Sequence, residues 1–206
     1  MDPQRHRHLT SDKSSSTSRY YEHHAQEYFD RTVSADLSDL YDRFLARVRP
    51  GGSILDAGCG SGRDLLNFSR RGFKVLGIDS SDALIKLAHE YSGAPCQVMR
   101  LEDIEYERWF DGVWACASLL HFPKSRVALV LRRLRQALKD EGKMFASVQR
   151  GKGEAVVADG RFYAYYDEPE FVRLVEGVGL IVSESWTSED GQRPNINWIN
   201  VLAVAR

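Results

Sequence analysis

The fold is specified around one stretch of the sequence, Ile54-Leu55-Asp56-Ala57-Gly58-Cys59-Gly60-Ser61-Gly62, which leads into an amphipathic segment from Arg63 to Arg71. The apolar residues predict a buried strand, the glycines a tight turn, and the amphipathic segment a helix. Glycines suit such a turn because they adopt positive φ readily and let a ligand approach the backbone closely. The unpaired N–H groups that begin the helix favour a carboxylate or phosphate. The stretch therefore predicts a site for a nucleotide-type cofactor.

The spacing of the glycines argues against two common cofactors. The dinucleotide fingerprint, Gly-x-Gly-x-x-Gly, requires a third glycine where this chain has Arg63. A Walker A loop ends in Gly-Lys-Ser/Thr, and no lysine follows the glycines of this loop. NAD and ATP are therefore poor fits to the sequence.

Asp56, at the end of the predicted strand, points to a cationic ligand. A buried carboxylate is costly unless it is paired or hydrogen-bonded. S-adenosylmethionine carries two positive centres, an ammonium and a sulfonium. The pattern Asp-x-Gly-x-Gly-x-Gly, here Asp56, Gly58, Gly60 and Gly62, resembles the first motif of the class I S-adenosylmethionine-dependent methyltransferases.

A second acid follows at the spacing that a ribose contact requires. The segment Phe73 to Asp79 predicts the next strand, and Asp79 lies 21 positions after Gly58. An acid about 20 residues beyond the glycine turn commonly binds the ribose hydroxyls of a nucleotide cofactor. Capping of the following helix is the alternative role for Asp79, but Ser80 and Ser81 already supply capping side chains. We therefore expect Asp79 to bind a ribose.

A third motif lies further along the chain, at the end of the predicted fourth strand. The phrase Phe-Asp-Gly-Val-Trp-Ala-Cys-Ala-Ser-Leu-Leu-His-Phe-Pro, residues 110–123, resembles the fourth motif of bacterial class I methyltransferases that act on small molecules. The loop that ends this strand is where ligands bind in open α/β sheets. His121 is then a candidate catalytic residue, as a general base or as a wall of the methyl-transfer pocket, and a structural role is the alternative.

The resemblance implies which residues contact the cofactor and the substrate. In the family, the segment that follows the third strand holds the adenine ring, often through an acidic residue. In this chain the third strand is Cys96 to Met99, and Arg100 stands at the position of that acid. Glu102 or the backbone of Leu101 would serve instead, and a solvated charged loop is the alternative. The expected cofactor contacts are Asp56, Gly58, Cys59, Gly60, Asp79, Ser80, Leu101, Glu102, Ala117 and Tyr21. The expected substrate pocket comprises Tyr28, His121, Arg150, Tyr163, Tyr165 and Tyr166.

The roles of two sets of tyrosines among these residues have structural alternatives. In the family, aromatic residues of an N-terminal cap close over the cofactor, but Tyr21 and Tyr28 also suit packing of a helix on the sheet. Tyr163, Tyr165 and Tyr166 present apolar rings with polar tips that would orient a planar or amine substrate. Packing of a small hairpin explains them equally well.

The resemblance implies an α/β, Rossmann-like, doubly wound sheet of seven mostly parallel strands with a C-terminal antiparallel hairpin and helices on both faces. Residues 1–18 are polar and predict a disordered tail, in which His6 and His8 do not make a metal site. Residues 19–206 form a single methyltransferase domain. It divides into a helical cap (19–49), a cofactor-binding core (50–149), and a substrate-side insertion with the last strands (150–206).

The composition indicates the cellular location and the partners to expect. The 206 residues carry a formal net charge of −1, so no overall basic field attracts nucleic acid or an anionic membrane. The three cysteines are odd in number and lack metal-ligand spacing, which indicates reduced thiols. No apolar run is long enough to span a bilayer. We expect a cytoplasmic protein with no membrane partner and no metal.

These observations favour one function and leave two alternatives. The favoured function is transfer of a methyl group from S-adenosylmethionine to an O, N, S or C nucleophile of a small molecule. A methyltransferase that acts on RNA or protein would share the same core, although the near-zero charge argues against nucleic acid. A non-catalytic protein that only binds the cofactor is the second alternative.

Overall fold

The computed structural model describes residues 16–206. Its helices are α1 (16–23), α2 (Ala25–Thr32), α3 (Ser38–Leu45), α4 (Arg63–Arg70), α5 (Asp82–Ser92), α6 (Lys124–Ala137) and α7 (Glu168–Glu176). Its strands are β1 (Ser53–Ala57), β2 (Lys74–Asp79), β3 (Cys96–Val98), β4 (Phe110–Cys116), β5 (Leu138–Gln149), β6 (Glu154–Val156), β7 (Phe162–Ala164), β8 (Leu180–Glu189) and β9 (Asn197–Ala205). Two short 3₁₀ helices cover Leu101–Asp103 and Leu119–His121.

The main sheet of this described part has seven strands in the order β3-β2-β1-β4-β5-β9-β8. Strands β1 to β5 are parallel to one another, whereas β9 is antiparallel to both β5 and β8. The chain winds outward from β1 in both directions, so β1 and β4 flank the switch point at which ligands bind in such sheets. The predicted fold class is confirmed, including the C-terminal hairpin.

Helices cover both faces of the sheet because successive strand residues alternate between two apolar clusters. On β4, Val113 and Ala115 join the cluster that contains α6 and α7. Trp114, between them, joins the opposite cluster with Phe44 of α3 and Phe145 of β5. The Trp114 and Phe145 rings stack with their centroids 4.1 Å apart. The sheet is therefore buried on both sides, as its near-continuous apolar strands predict.

A buried polar cluster joins α3 and α4 to the sheet. Asp64 is 6% exposed, and its carboxylate accepts hydrogen bonds from Arg63, Tyr41 and Trp114. Burial opposes its ionisation, but the adjacent guanidinium and these donors hold the pKa of Asp64 below its ordinary value. Arg63, which occupies the position of the missing fingerprint glycine, is thus the partner of a buried acid.

Two element boundaries are set by contacts within the fold. Strand β5 begins at Leu138, where α6 has just ended, because Leu138 already pairs with Phe110 before the register shifts. A break at His24 separates α1, which reaches the cavity described below, from α2, which packs on α5.

The predicted disordered tail is wrong for residues 16–18, which are helical. Thr17 is 4% exposed, and its hydroxyl accepts a hydrogen bond from the backbone N–H of Phe162 at 2.9 Å. The tertiary contact supplies the stabilisation that the polar sequence lacks. The rest of the predicted tail, with His6 and His8, lies outside the described residues. None of the helices within residues 16–206 is long and apolar enough to cross a membrane.

Candidate active site

A cavity of about 710 Å³, partly open to solvent, lies at the carboxyl ends of β1, β2 and β4. These are the strands that flank the switch point, which is the expected position for a ligand. Its lining comes from α1, α2, the glycine loop, the ends of β2 and β4, and the segment after β3. The lining residues are Thr17, Ser18, Tyr21, Tyr28, Gly58, Gly60, Asp79, Ser80, Leu84, Met99, Arg100, Leu101, Glu102, Cys116, Ala117, Ser118, His121 and Phe122.

The glycine loop has the backbone that its sequence predicts. Gly58, Gly60 and Gly62 all have positive φ, at 88°, 50° and 78°. A Cβ atom on Gly58 would lie 2.6 Å from the Cβ of Ser118, so the loop requires glycine there for packing as well. Gly62 packs against Ala88 of α5 rather than facing the cavity. The loop itself lines the cavity, whereas no residue of α4 does, which corrects the prediction of an anion site at that helix start.

Asp79 lies at the end of β2 with its carboxylate in the cavity wall. One oxygen accepts the backbone N–H of Gly60 at 3.1 Å, and the other accepts that of Ser81 at 3.0 Å. Burial raises the pKa of this carboxyl, and the N–H bonds oppose that rise. Helix α5 is capped instead by Ser81, whose hydroxyl accepts from the N–H of Leu84. Because a carboxylate has about four acceptor positions, this one can accept hydrogen bonds from a ligand in addition to those from the backbone.

Asp56 and Cys59 are placed differently from the prediction. Neither residue lines the cavity, since Asp56 is 1% exposed and Cys59 is 6% exposed. The Asp56 Oδ2 atom has no hydrogen-bond partner among the described residues. Burial, with the nearby charge of Asp64, raises the pKa of Asp56 well above its ordinary value, which favours the neutral acid.

The segment after β3 lines the cavity at the position predicted for an adenine site. Leu101 and Glu102 both contribute to the wall. The Glu102 side chain is 8% exposed and forms ion pairs with Arg100 at 3.2 Å and Arg126 at 3.6 Å. Arg100, which stands where the family commonly has an acid, therefore holds the neighbouring acid in place.

The end of β4 carries a strained residue. Ala117 has φ of 55°, an uncommon conformation for a residue with a Cβ atom, and its N–H donates to Ser147 at 3.0 Å. The adjacent Ser118 hydroxyl is buried without a hydrogen-bond partner among residues 16–206. Strained backbone and unsatisfied polar atoms are typical of ligand sites. Ala117 was among the predicted cofactor contacts, whereas Ser118 was not.

A chain of hydrogen bonds fixes the orientation of His121. Its Nδ1 lies 2.9 Å from the carbonyl oxygen of Phe162, and its Nε2 lies 2.9 Å from the hydroxyl of Tyr21. A carbonyl only accepts, so Nδ1 carries the proton and Nε2 accepts from Tyr21. Arg161 in turn donates to the Tyr21 oxygen at 3.3 Å. This arrangement holds Tyr21 and His121 as a neutral pair in the cavity wall.

Burial lowers the pKa of His121 to about 4, although its hydrogen bond to Phe162 opposes the shift. The guanidinium of Arg161 lowers the pKa further, and Asp159 acts in the opposite direction. Burial also raises the pKa of Tyr21 well above its ordinary value. The imidazole is therefore neutral near pH 7, and it is a weak base.

We expect His121 to make the protein less stable as the pH falls from about 6.5 to about 4. Between these two pH values the unfolded chain binds a proton at His121, whereas the folded protein does not. The contribution of His121 to the free energy of unfolding is therefore fully present above this pH range and is lost as the pH falls through it. Urea unfolding of the wild type and of His121→Gln at pH 7 and pH 5 checks this. The variant should lose less stability between the two pH values. An equal loss in both proteins would contradict the pKa shift.

The predicted substrate residues of the β6–β7 region do not line the cavity. Tyr166 is fully buried and packs against Phe171 in the core, so its prediction as a substrate contact is wrong. Arg150 is exposed, its backbone forms a β-bridge with that of Tyr166, and it does not line the cavity. Tyr163 packs its ring on His121 with centroids 4.9 Å apart, and Tyr165 stacks on Tyr163. Tyr163 thus supports the cavity wall from behind.

Helix α1 closes the cavity through contacts that the sequence did not reveal. Thr17 binds Phe162, and the Ser18 hydroxyl lies 3.1 Å from that of Ser80. Glu22 accepts a hydrogen bond from the Ser81 hydroxyl at 2.7 Å. These partners lie more than 50 positions away along the chain, so no local pattern could have identified them. Arg161 was also missed, although a guanidinium among several tyrosines is a recognisable cation–π pattern.

Most of the chain matches a family of known proteins. Residues 21–184 match a family described as a methyltransferase domain. The chain belongs to this methyltransferase family. The match runs from Tyr21 in the cavity wall to β8, so it includes the glycine loop, Asp79 and His121. The predicted family is confirmed.

The relatives differ in what they act on. A putative methyltransferase of Bacillus subtilis is 26% identical over 148 residues, covering 68% of this chain and 60% of its own length. A tRNA U34 carboxymethyltransferase of Aeromonas salmonicida is 30% identical over 179 residues, covering 74% of this chain and 54% of its own length. The chain thus spans only about half to three-fifths of these two relatives.

Solved structures share the fold. A Burkholderia thailandensis 1,6-didemethyltoxoflavin-N1-methyltransferase superposes with a TM-score of 0.72 at 22% identity, covering 100% of this chain and 91% of its own. At this identity the similarity supports the architecture alone.

Proposed function

We propose that this protein transfers a methyl group from S-adenosylmethionine to a small molecule. The proposal rests on one observation. The carboxylate of Asp79, which suits a ribose, and the neutral pair of Tyr21 and His121 line the same cavity beneath α1. The first feature suits the cofactor, and the second suits a polar acceptor.

The cavity residues fit the cofactor in three respects. Asp79 has free lone pairs for the two ribose hydroxyls. Leu101 and Glu102 line the wall beyond β3, at the position expected for the adenine ring. Gly58 and Ala117 approach the cavity from the ends of β1 and β4, where the amino-acid portion of the cofactor would lie. Asp56 and Cys59 would support the loop from behind rather than touch the cofactor.

When bound, S-adenosylmethionine would supply a methyl group on a positively charged sulfur. The nucleophile bonds to the methyl carbon in line with the carbon–sulfur bond, and the sulfur leaves. The protein then has to hold the acceptor in line, exclude water and accept hydrogen bonds from it. The Tyr21 hydroxyl, which donates its proton to the Nε2 atom of His121, is placed to accept a hydrogen bond from a polar atom of the acceptor. Because the imidazole is a weak base, the site suits an acceptor whose nucleophilic atom already carries a free lone pair.

Helix α1 supports a small acceptor over a macromolecule. Its contacts with Phe162, Ser80 and Ser81 cover the cavity from above, so an RNA or a protein segment would have to displace the helix. A small molecule needs only a transient opening. The formal net charge of −1 also offers little overall attraction for nucleic acid.

Incubation of the protein with S-[methyl-³H]adenosylmethionine tests the proposal. The label should appear in a low-molecular-weight fraction of a metabolite extract. Separate incubations with total RNA and with soluble protein should yield no label above background. Asp79→Asn serves as the negative control for each incubation.

Two results would contradict the proposal. Label in RNA or protein alone would assign the cavity to a macromolecular acceptor. Tight binding of S-adenosylhomocysteine in calorimetry, with no label transfer to any of the three extracts, would favour a protein that binds the cofactor without using it.

Given an identified acceptor, Tyr21→Phe should lower kcat about tenfold, because it removes one hydrogen bond that orients the reacting atom. The affinity for S-adenosylhomocysteine should change less than about twofold, since the ring that lines the cavity is retained. Steady-state kinetics and calorimetry on the same preparation check both values. Tyr163→Phe, whose hydroxyl is outside the cavity wall, is the matched control and should retain full kcat. An unchanged kcat in Tyr21→Phe would remove this residue from the acceptor site.

A further inference from the structure

Two cysteines that the proposed function does not use lie side by side beneath the cofactor loop. Cys59 is the residue between Gly58 and Gly60, and Cys96 begins β3. Both pack in one small cluster between the sheet and α5, with Cys59 buried and Cys96 half-buried. All three cysteines of the chain are present as free thiols.

Gly77 of β2 brings the two sulfurs together. A Cβ atom built on Gly77 would lie 2.9 Å from the Cys59 Sγ, so that sulfur occupies the space of the missing side chain. Cys96 is the register partner of Gly77 on the neighbouring parallel strand. Register partners point their side chains to the same face, about 4.8 Å apart. The Cys96 side chain therefore lies next to the sulfur of Cys59, on the same face of the sheet.

We propose that Cys59 and Cys96 form a dithiol that a peroxide oxidises to a disulfide, and that this disulfide weakens cofactor binding in the adjacent cavity. The second half rests on the proposed function, whereas the first half does not. The strand register already places the two side chains next to each other, so forming the S–S bond requires a local shift and no change of fold.

The chemistry assigns a different role to each sulfur. The Cys96 thiolate attacks a peroxide oxygen, which breaks the O–O bond, oxidises Cys96 to a sulfenic acid and releases hydroxide. The Cys59 thiol then attacks the Cys96 sulfur and displaces water as the S–S bond forms. In total, two thiols and one hydrogen peroxide give one disulfide and two water molecules.

The surroundings support this order of events. Interaction with the neighbouring thiol lowers the pKa of Cys96, and the same interaction together with burial raises the pKa of Cys59. Cys96 is also the more exposed of the two, so it meets the oxidant first. The third thiol, Cys116, lies at the end of β4, and burial raises its pKa to about 12. Cys116 is therefore a poor nucleophile for peroxide.

A disulfide at this position would tie together two segments that line the cavity. Gly58 and Gly60 flank Cys59, and the backbone N–H of Gly60 donates to Asp79. Met99 follows the strand that Cys96 begins, and its N–H donates to the Asp79 carbonyl. Pulling Cys59 toward β3 shifts the glycine loop relative to Asp79. The cavity would then fit the cofactor less well.

Peroxide treatment of the reduced full-length protein, followed by non-reducing peptide mapping, tests the first half. A cross-linked peptide pair containing Cys59 and Cys96 is expected in the wild type. It should also form in Cys116→Ser and be absent in Cys96→Ser. Oxidation of Cys96 to sulfinic acid without a cross-link, or a cross-link through Cys116, would overturn the proposal.

Calorimetry with S-adenosylhomocysteine tests the second half. Oxidation should weaken binding at least about fivefold, and dithiothreitol should restore it. Cys96→Ser should bind like the reduced wild type and should not respond to peroxide. A cross-link without any change in affinity would overturn the regulatory part. If the reduced wild type does not bind S-adenosylhomocysteine, the proposed function fails, while peptide mapping still decides whether the dithiol forms a disulfide.

Discussion

Replacing Asp79 with asparagine is expected to weaken the binding of S-adenosylhomocysteine about a hundredfold, because hydrogen bonds to a charged group contribute about 1.5–3 kcal/mol each. Both carboxylate oxygens accept backbone N–H groups, from Gly60 and Ser81, and keep lone pairs for the ribose. An amide has one accepting oxygen, so its NH₂ group would face either a backbone donor or a ribose hydroxyl. Isothermal titration calorimetry measures the loss.

The control for this prediction is Asp103→Asn, an exposed acid close in sequence to Glu102 that does not line the cavity. It should bind S-adenosylhomocysteine as the wild type does. Thermal unfolding of both variants without ligand shows whether the Asp79 substitution acts through the site or through the fold. Unchanged affinity in a folded Asp79→Asn protein would remove the ribose assignment.

Replacing Asp64 with asparagine is expected to lower the free energy of unfolding by about 3–5 kcal/mol, the usual cost of leaving one partner of a buried ion pair unneutralised. All groups that contact this carboxylate are donors, namely the guanidinium of Arg63, the Tyr41 hydroxyl and the Trp114 indole N–H. The asparagine NH₂ group would face a donor, and the Arg63 charge would lack its partner. Urea unfolding at pH 7 gives the value.

Asp140→Asn is the matched control, because Asp140 forms an exposed ion pair with Arg108. Its cost should be about 0.5 kcal/mol or less, as is typical of surface pairs. Tyr41→Phe should fall between the two, since it removes a single donor from Asp64. A loss below about 1 kcal/mol in Asp64→Asn would show that the cluster does not hold α3 and α4 on the sheet.

The order of strands and helices from β1 to β5, and that of α7, β8 and β9, was predictable because each of these elements carries its own local pattern, whereas β6 lies in a glycine-rich segment expected to be irregular. The strand that ends at Ala57, the glycines with positive φ and the amphipathic α4 follow directly from residue types. Asp79 was placed in the cavity wall by spacing, since helix α4, a short turn and strand β2 bring the chain back beside the glycine loop. Such predictions need only neighbours in the sequence.

Predictions failed where a residue's surroundings come from distant parts of the chain. Tyr166 and Tyr163 look alike in the sequence, but Tyr166 is enclosed by Phe171 and α6, whereas Tyr163 supports His121. The polar sequence around Thr17 predicts disorder, yet a hydrogen bond to Phe162, 145 positions away, gives it a place in the structure. Asp56 was expected to meet a cation and is instead buried with a raised pKa.

The glycine loop and the acid that follows it could be predicted from residue types, because they depend on backbone freedom and short spacings, and the class of fold followed from the family resemblance that these motifs carry. Only the tertiary structure decided which side chains share the cavity, the proton position on His121 and the meeting of Cys59 with Cys96 at Gly77. These features depend on strand order and register, which bring together residues that are far apart along the chain.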